Sequence, residues 1–245
     1  AGHPAMAAML GHGTVRSAVM GGSFMRPPTA EELSKLASLV EQAMRDGAVG
    51  ISTGLIYLPG TFAKTEEISV LAKVAARYDG IYASHIRDEG PKIFDALNEL
   101  FQIARDAGIR AHISHIKLSG PSAWGQADKV LAAIERARAD GLDITQDQYA
   151  YTASSTGISQ LVPSAVREGG REKFSQRLSD PVEKARIVLE MKESLRRSRR
   201  ENYAYAVIAH YTKDTTLNGK NIVEAAQARR GAASQEDQIE LILEI

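Results

Sequence analysis

Glycines at positions 47, 80, 108 and 141 recur about every 30 residues along the first part of this chain, the length of one strand-helix unit in a parallel α/β fold. Each glycine closes a stretch of helical periodicity, and an apolar run follows. Thr29-Ala-Glu-Glu32 is a capping box ahead of Leu33, Leu36, Val40 and Ala43, which fall on one helical face before Gly47 supplies a stop. Val49 to Thr53 then reads as a strand, Glu66 to Tyr78 as a helix, and Ile81 to Ile86 as a strand. Pro91 suits a first helical position, the helix runs to Ala107, and Arg110 to Lys117 is strand again. Gln126 to Asp140 completes another unit before a strand over Asp143 to Tyr149. With Leu10 to Val15 taken as a first strand, the chain has about five parallel strands, enough for an open sheet or part of a barrel.

Beyond Thr156 the rhythm changes. Pro163, Gly169, Gly170, Asp180 and Pro181 punctuate the chain, Val182 to Arg200 reads as a helix, and Asn221 to Ile245 as short helices. Residues 1–157 are therefore expected to form the α/β part and 158–245 a helical insertion or extension.

The 30 basic and 30 acidic side chains cancel, which removes the overall field that would draw a chain to nucleic acid or an anionic membrane and points to a small-molecule partner. The Arg196 to Arg200 cluster reads as a solvated helix end. No apolar run reaches a membrane span, and Ala1 to Met9 lacks the character of a signal peptide. With no cysteine in the sequence, a metal would have to rest on histidine and carboxylate, and a reducing cytoplasm is the expected location.

Ser84-His85-Ile86-Arg87 and Ser114-His115-Ile116-Lys117 are near copies at the same point of consecutive units. In a parallel barrel, side chains at equivalent strand ends converge over one mouth, so His85 and His115 could share a zinc ion that keeps an open position for water. The alternative is that each imidazole only hydrogen-bonds within a packed barrel. Two-residue alternation from His115 would turn His112 toward the helices, in a structural role. His12 either reaches the mouth or orients a loop, whereas His3 and His210 have no supporting context. Asp147 could serve as a base, but a hydrogen-bonding role suits its strand better.

Five blocks in order, Gly11 to Arg16, Ser52 to Gly60, Ser84 to Glu89, Ser114 to Lys117 and Asp147 to Tyr151, resemble the motifs of the N-acyl-D-amino-acid deacylase (D-aminoacylase) family of the amidohydrolase superfamily. The resemblance covers residues 11 to 157 and is weak beyond. It implies a partial TIM-like (β/α)8 barrel, with this chain running from near strand 3 to strand 7. It implies zinc held by His85 on strand 5 and His115 on strand 6, and a substrate held by Tyr57, Arg87, Lys117 and Tyr149. An N-acyl amino acid carries an obligatory anion, for which Lys or Arg beside phenolic hydroxyls is a natural receptor. Arg87 could equally brace its loop against Asp88 or Glu89, and both tyrosines could be packing residues.

The family's first-strand His-x-His pair, second-strand Cys and eighth-strand catalytic Asp have no counterpart here, so activity is expected only where those strands are supplied. Ala150 stands where the family usually has Pro. The implied reaction is zinc-dependent hydrolysis of the amide of N-acyl-D-amino acids. Rivals are a dihydroorotase-like cyclic-amide hydrolase, a Schiff-base enzyme using Lys117, which borohydride trapping would reveal, and a non-catalytic fragment or small-molecule-binding subunit.

Overall fold

The computed structural model describes residues 6–22 and 25–245, so His3 and the first residues of the N-terminal stretch lie outside it. The chain divides into two units, residues up to 119 with 123–152, and residues 120–122 with 153–245. No helix among the described residues is long and apolar enough to cross a membrane.

In the first unit, β1 (Leu10–Gly11), β2 (Gly50–Gly54), β3 (Ile81–His85), β4 (Arg110–Ile113) and β5 (Ile144–Gln146) form one parallel sheet in sequential order. Helices α1 (His12–Met20) and α2 (Ala30–Arg45) follow β1, and α3 (Thr65–Ala76), α4 (Ile93–Ala107) and α5 (Ala127–Ala139) follow β2, β3 and β4. Five adjacent parallel strands with helical returns are an arc of a (β/α)8 barrel. Strand alternation sends Ile51, Tyr82, Ala111, Ile113 and Ile144 into a core with Leu36, Val40, Ile68, Leu71, Leu97, Leu100, Val130 and Ile134 from the helices. Ser52, Ala83, His85, His112 and Thr145 occupy the other face by the same alternation.

The local signals account for the helix ends. Thr29 and Glu32 cap α2 reciprocally, and Gly108 closes α4 in the left-handed conformation. Several expectations change, and among them β4 stops at Ile113 and β5 at Gln146, short of Lys117 and Tyr149. Only Leu10 and Gly11 form strand, because His12 begins a helix in which His12 and Arg16, one turn apart, both reach Glu67 of α3. Helix α4 starts at Ile93, since Asp88 accepts hydrogen bonds from the Gly90 and Lys92 backbone and holds Pro91 in a turn.

The second unit is helical: α6 (Gly170–Ser179), α7 (Pro181–Arg197), α8 (Ile222–Arg230) and α9 (Gln235–Glu244), with short 3-10 turns. Asp180 caps α7 with Pro181 in its first turn, and capping boxes start α8 at Asn221 and α9 at Ser234. Its own core contains Ile187, Met191, Leu195, Tyr203, Ile222, Ile239 and Ile242.

Candidate metal centre

β3 ends on His85, and its register partner β4 ends on Ile113, two residues before His115. Between Ile113 and His115 the chain leaves the strand, and His115 adopts φ +40°, a conformation costly for a residue with a side chain. Asp147, just past β5, accepts a hydrogen bond from the His115 backbone N–H, which holds its carboxyl below the usual range. Its own backbone bridges Ile113 and Ile116, so this turn is fastened to the next strand.

The turn brings the rings together. His85 Nδ1 lies 3.0 Å from His115 Nε2, and Glu89 Oε1 lies 3.6 Å from His85 Nε2 and 3.4 Å from His115 Nδ1. One ligand atom from each of these residues falls within 4.8 Å of the others, the one such group of three among the described residues. Lys117 donates to Glu89 and, over 2.8 Å, to His115 Nδ1. Lysine can only donate, so in this arrangement His115 accepts at Nδ1 and donates from Nε2 to His85.

Burial, followed by the proximity of His115 and Lys117, pushes the His85 pKa down to about 4, which leaves its imidazole neutral near pH 7. His85 Nε2 is buried without a hydrogen-bond partner. In that tautomer His85 Nε2 carries the proton, so a metal would take this nitrogen only with the proton moved off it; the neutral imidazole, the buried Glu89 carboxylate and the second imidazole then offer the nitrogen and oxygen donors that a divalent metal such as zinc prefers.

Tyr57 packs on His85 with ring centroids 4.8 Å apart, and Tyr149 flanks His115 at 6.2 Å with Lys117 Nζ 5.4 Å from its ring centroid. His85, His115, Lys117, Tyr57 and Tyr149 are thus gathered in one place. Arg87 is bound elsewhere: its guanidinium donates to Glu99 and to the Thr61 and Ala63 carbonyls.

His112 is a correction. It shares a strand face with Ala83 and Thr145, bonds Thr145 Oγ1 at 2.8 Å and lies 3.4 Å from Asp147, instead of turning toward the helices. Alternation counted back from His115 fails because the strand ends at Ile113 and the left-handed turn intervenes. His12 is fully buried against Glu67, and His210 is exposed. Glu89 escaped the sequence reading as a member of the group. Its position four residues after His85 was a visible signal, but its partner Lys117 stands 28 residues away.

No protein-family model matches the chain. It is 43% identical over 154 residues to a D-aminoacylase of Alcaligenes xylosoxydans xylosoxydans, covering 63% of this chain and 31% of that protein. A crystal structure of D-aminoacylase, described as defining a novel subset of amidohydrolases, aligns over 97% of this chain and 42% of its own with a TM-score of 0.71 and 32% identity. The N-acyl-D-glutamate deacylase of Bordetella bronchiseptica, solved with zinc and a phosphonate mimic of the tetrahedral intermediate, aligns over 96% of this chain and 41% of its own, with a TM-score of 0.70 and 28% identity. The aligned part of the chain spans about a third of the length of the curated relatives it matches. The structural likeness reaches beyond the 63% of the chain that aligns in sequence and so extends into the helical unit. Over the part of those proteins that it spans, the chain is related in sequence and in fold to the D-aminoacylase and N-acyl-D-glutamate deacylase amidohydrolases.

Proposed function

We propose that this chain carries the metal-holding and carboxylate-binding part of a zinc-dependent N-acyl-D-amino-acid deacylase. The observation that carries the reading is the group of His85, His115 and Glu89 at the ends of adjacent parallel strands, where enzymes of this architecture keep their active sites. The names of the relatives support the substrate class, and the zinc complex of the Bordetella deacylase supports the metal.

His85 and His115 are the metal ligands in this reading. Zinc bound there supplies Lewis-acid polarisation of the acyl carbonyl and a water acidified toward neutrality. Glu89 neutralises Lys117 and holds it against His115 in the free protein. An incoming substrate carboxylate competes with Glu89 for the Lys117 ammonium, and the Tyr57 and Tyr149 rings wall the space on either side. A cytoplasmic setting accords with a sequence without cysteine.

The test is zinc content together with hydrolysis of N-acetyl-D-amino acids, measured against their L-forms. His85→Ala and His115→Ala each lower zinc and activity together, and Lys117→Met chiefly weakens substrates bearing a free α-carboxylate. Stoichiometric zinc in both histidine variants, or no preference for D-amino acids in the parent protein, overturns the reading.

A further inference from the structure

We propose that Arg87 and Glu99 form a positioning clamp for the loop 55–63, which presents Tyr57 to His85, and that Arg87 does not itself contact substrate. For its effect on turnover the inference rests on the function proposed above; the clamp itself does not depend on it.

Both ends of the loop are tied to the segment 85–87, the entry through backbone and the exit through the guanidinium. Loop entry is fixed by the Leu55 backbone, which donates to the carbonyl of His85 at 3.0 Å. Its exit is fixed by Arg87, which donates from Nη1 to Thr61 O at 3.0 Å and from Nη2 to Ala63 O at 2.8 Å. Nε and Nη2 form a fork on the Glu99 carboxylate of α4 at 2.8 and 2.7 Å. Thr65, opening α3, adds a hydrogen bond to the same carboxylate at 2.9 Å. One guanidinium therefore joins the loop, α4 and, through Glu99, the start of α3. Only a planar fork of several donors reaches carboxylate and carbonyls at once.

The loop is built to close on itself. A Cβ at Gly54 would stand 2.9 Å from the Tyr57 ring, and one at Gly60 would stand 2.7 Å from Gly54 O. The chain returns over the strand end so closely that Tyr57 has its ring 4.8 Å from His85, with its backbone N–H on Gly54 O. Arg87, two residues after His85, thus transmits the position of α4 to the side chain that covers the first histidine. With the Glu99 fork on one edge of the guanidinium and the Thr61 and Ala63 carbonyls on the other, no two-pronged site is left for a substrate carboxylate.

Hydrogen exchange of the whole protein, without substrate, tests the clamp directly. In Arg87→Ala the amides of Tyr57, Thr61, Phe62 and Ala63 should exchange about tenfold faster or more, while those of β3 and β4 stay as they were. Glu99→Gln keeps the shape, should loosen the same amides to a lesser degree, and answers the question if Arg87→Ala does not fold. Arg87→Lys should behave nearly as Arg87→Ala, because one ammonium cannot bridge carboxylate and carbonyls. In turnover of N-acetyl-D-amino acids, Arg87→Ala should raise KM about tenfold with kcat held within about threefold and zinc unchanged, and should add little in a Tyr57→Ala background. Unchanged loop exchange in both Arg87→Ala and Glu99→Gln overturns the clamp. So does a loss that multiplies with Tyr57→Ala and vanishes on substrates lacking the α-carboxylate, which marks direct contact. If the protein supplied with the missing barrel strands hydrolyses nothing, the deacylase reading fails and the exchange measurement still decides the clamp.

Discussion

Asp147→Ala isolates the device that sets the angle between the two histidines. His115 sits at φ +40°, which costs a residue with a side chain about 1 to 2 kcal/mol. The Asp147 carboxylate accepts from the His115 backbone N–H and holds that conformation. A hydrogen bond to a charged acceptor contributes about 1.5 to 3 kcal/mol. Asp147 is 65% exposed, so water replaces part of what is lost and the lower end applies. The expected loss is about 1 to 2 kcal/mol in the free energy of placing His115, which appears as about 5- to 30-fold weaker zinc binding if that ring is a ligand. Asp147→Asn keeps a carbonyl acceptor and should retain most of the affinity. Competition with a chelating dye at fixed pH measures both variants. Affinity within about twofold of the parent in Asp147→Ala would refute the reasoning. So would equal losses in the two variants, since only the alanine removes the acceptor.

The buried phenol of Tyr82, hydrogen-bonded with Thr53 and pushed up to about 12 by burial, predicts an alkaline effect. Between pH 10 and 12 the unfolded chain releases this proton while the folded one keeps it, so stability falls as pH rises, by about 2 to 3 kcal/mol in all. Denaturant midpoints across that range should show the slope, and Tyr82→Phe should flatten it. Glu67 joins His12 and Arg16 at 2.8 and 2.9 Å with all three side chains buried, so Glu67→Ala removes the carboxylate that the buried guanidinium and imidazole share. A loss of about 3 to 5 kcal/mol is expected in urea unfolding, with a smaller loss for Glu67→Gln, and a loss below about 1 kcal/mol would contradict it. In Gly50→Ala the new Cβ would lie 2.1 Å from the Ile81 carbonyl, so β2 and β3 must separate. Destabilisation of about 3 kcal/mol is expected, and wild-type stability would show that the strands are not so closely paired there.

Features written in local physics were legible in the chain. A capping box and an amphipathic face lie within a few residues of each other, so Thr29 with Glu32 and the run from Leu33 announce α2 without tertiary help. The same holds for Gly108, which tolerates the left-handed conformation that ends α4. The approach of His85 and His115 was readable because parallel neighbours place their ends side by side, although the turn at His115 completes it. The motifs also carried the relationship to the deacylases, which the comparisons support independently.

What tertiary structure decided were the contacts between residues far apart in sequence. His12 is helical because Glu67 draws it and Arg16 to one side, a choice that a Gly-flanked histidine before Thr14 and Val15 does not disclose. His112 faces the side opposite the helices because Ala111 and Ile113 go into the core, which counting back from His115 misses, since the chain turns left-handed there, fastened by Asp147. Arg87 found Glu99 and the loop carbonyls, not the neighbouring acids Asp88 and Glu89, while Glu89 went to Lys117. Periodicity fixes a side chain's direction only while the strand lasts. Past its end, the direction follows whichever distant charge or backbone group satisfies the side chain, and no local pattern encodes that choice.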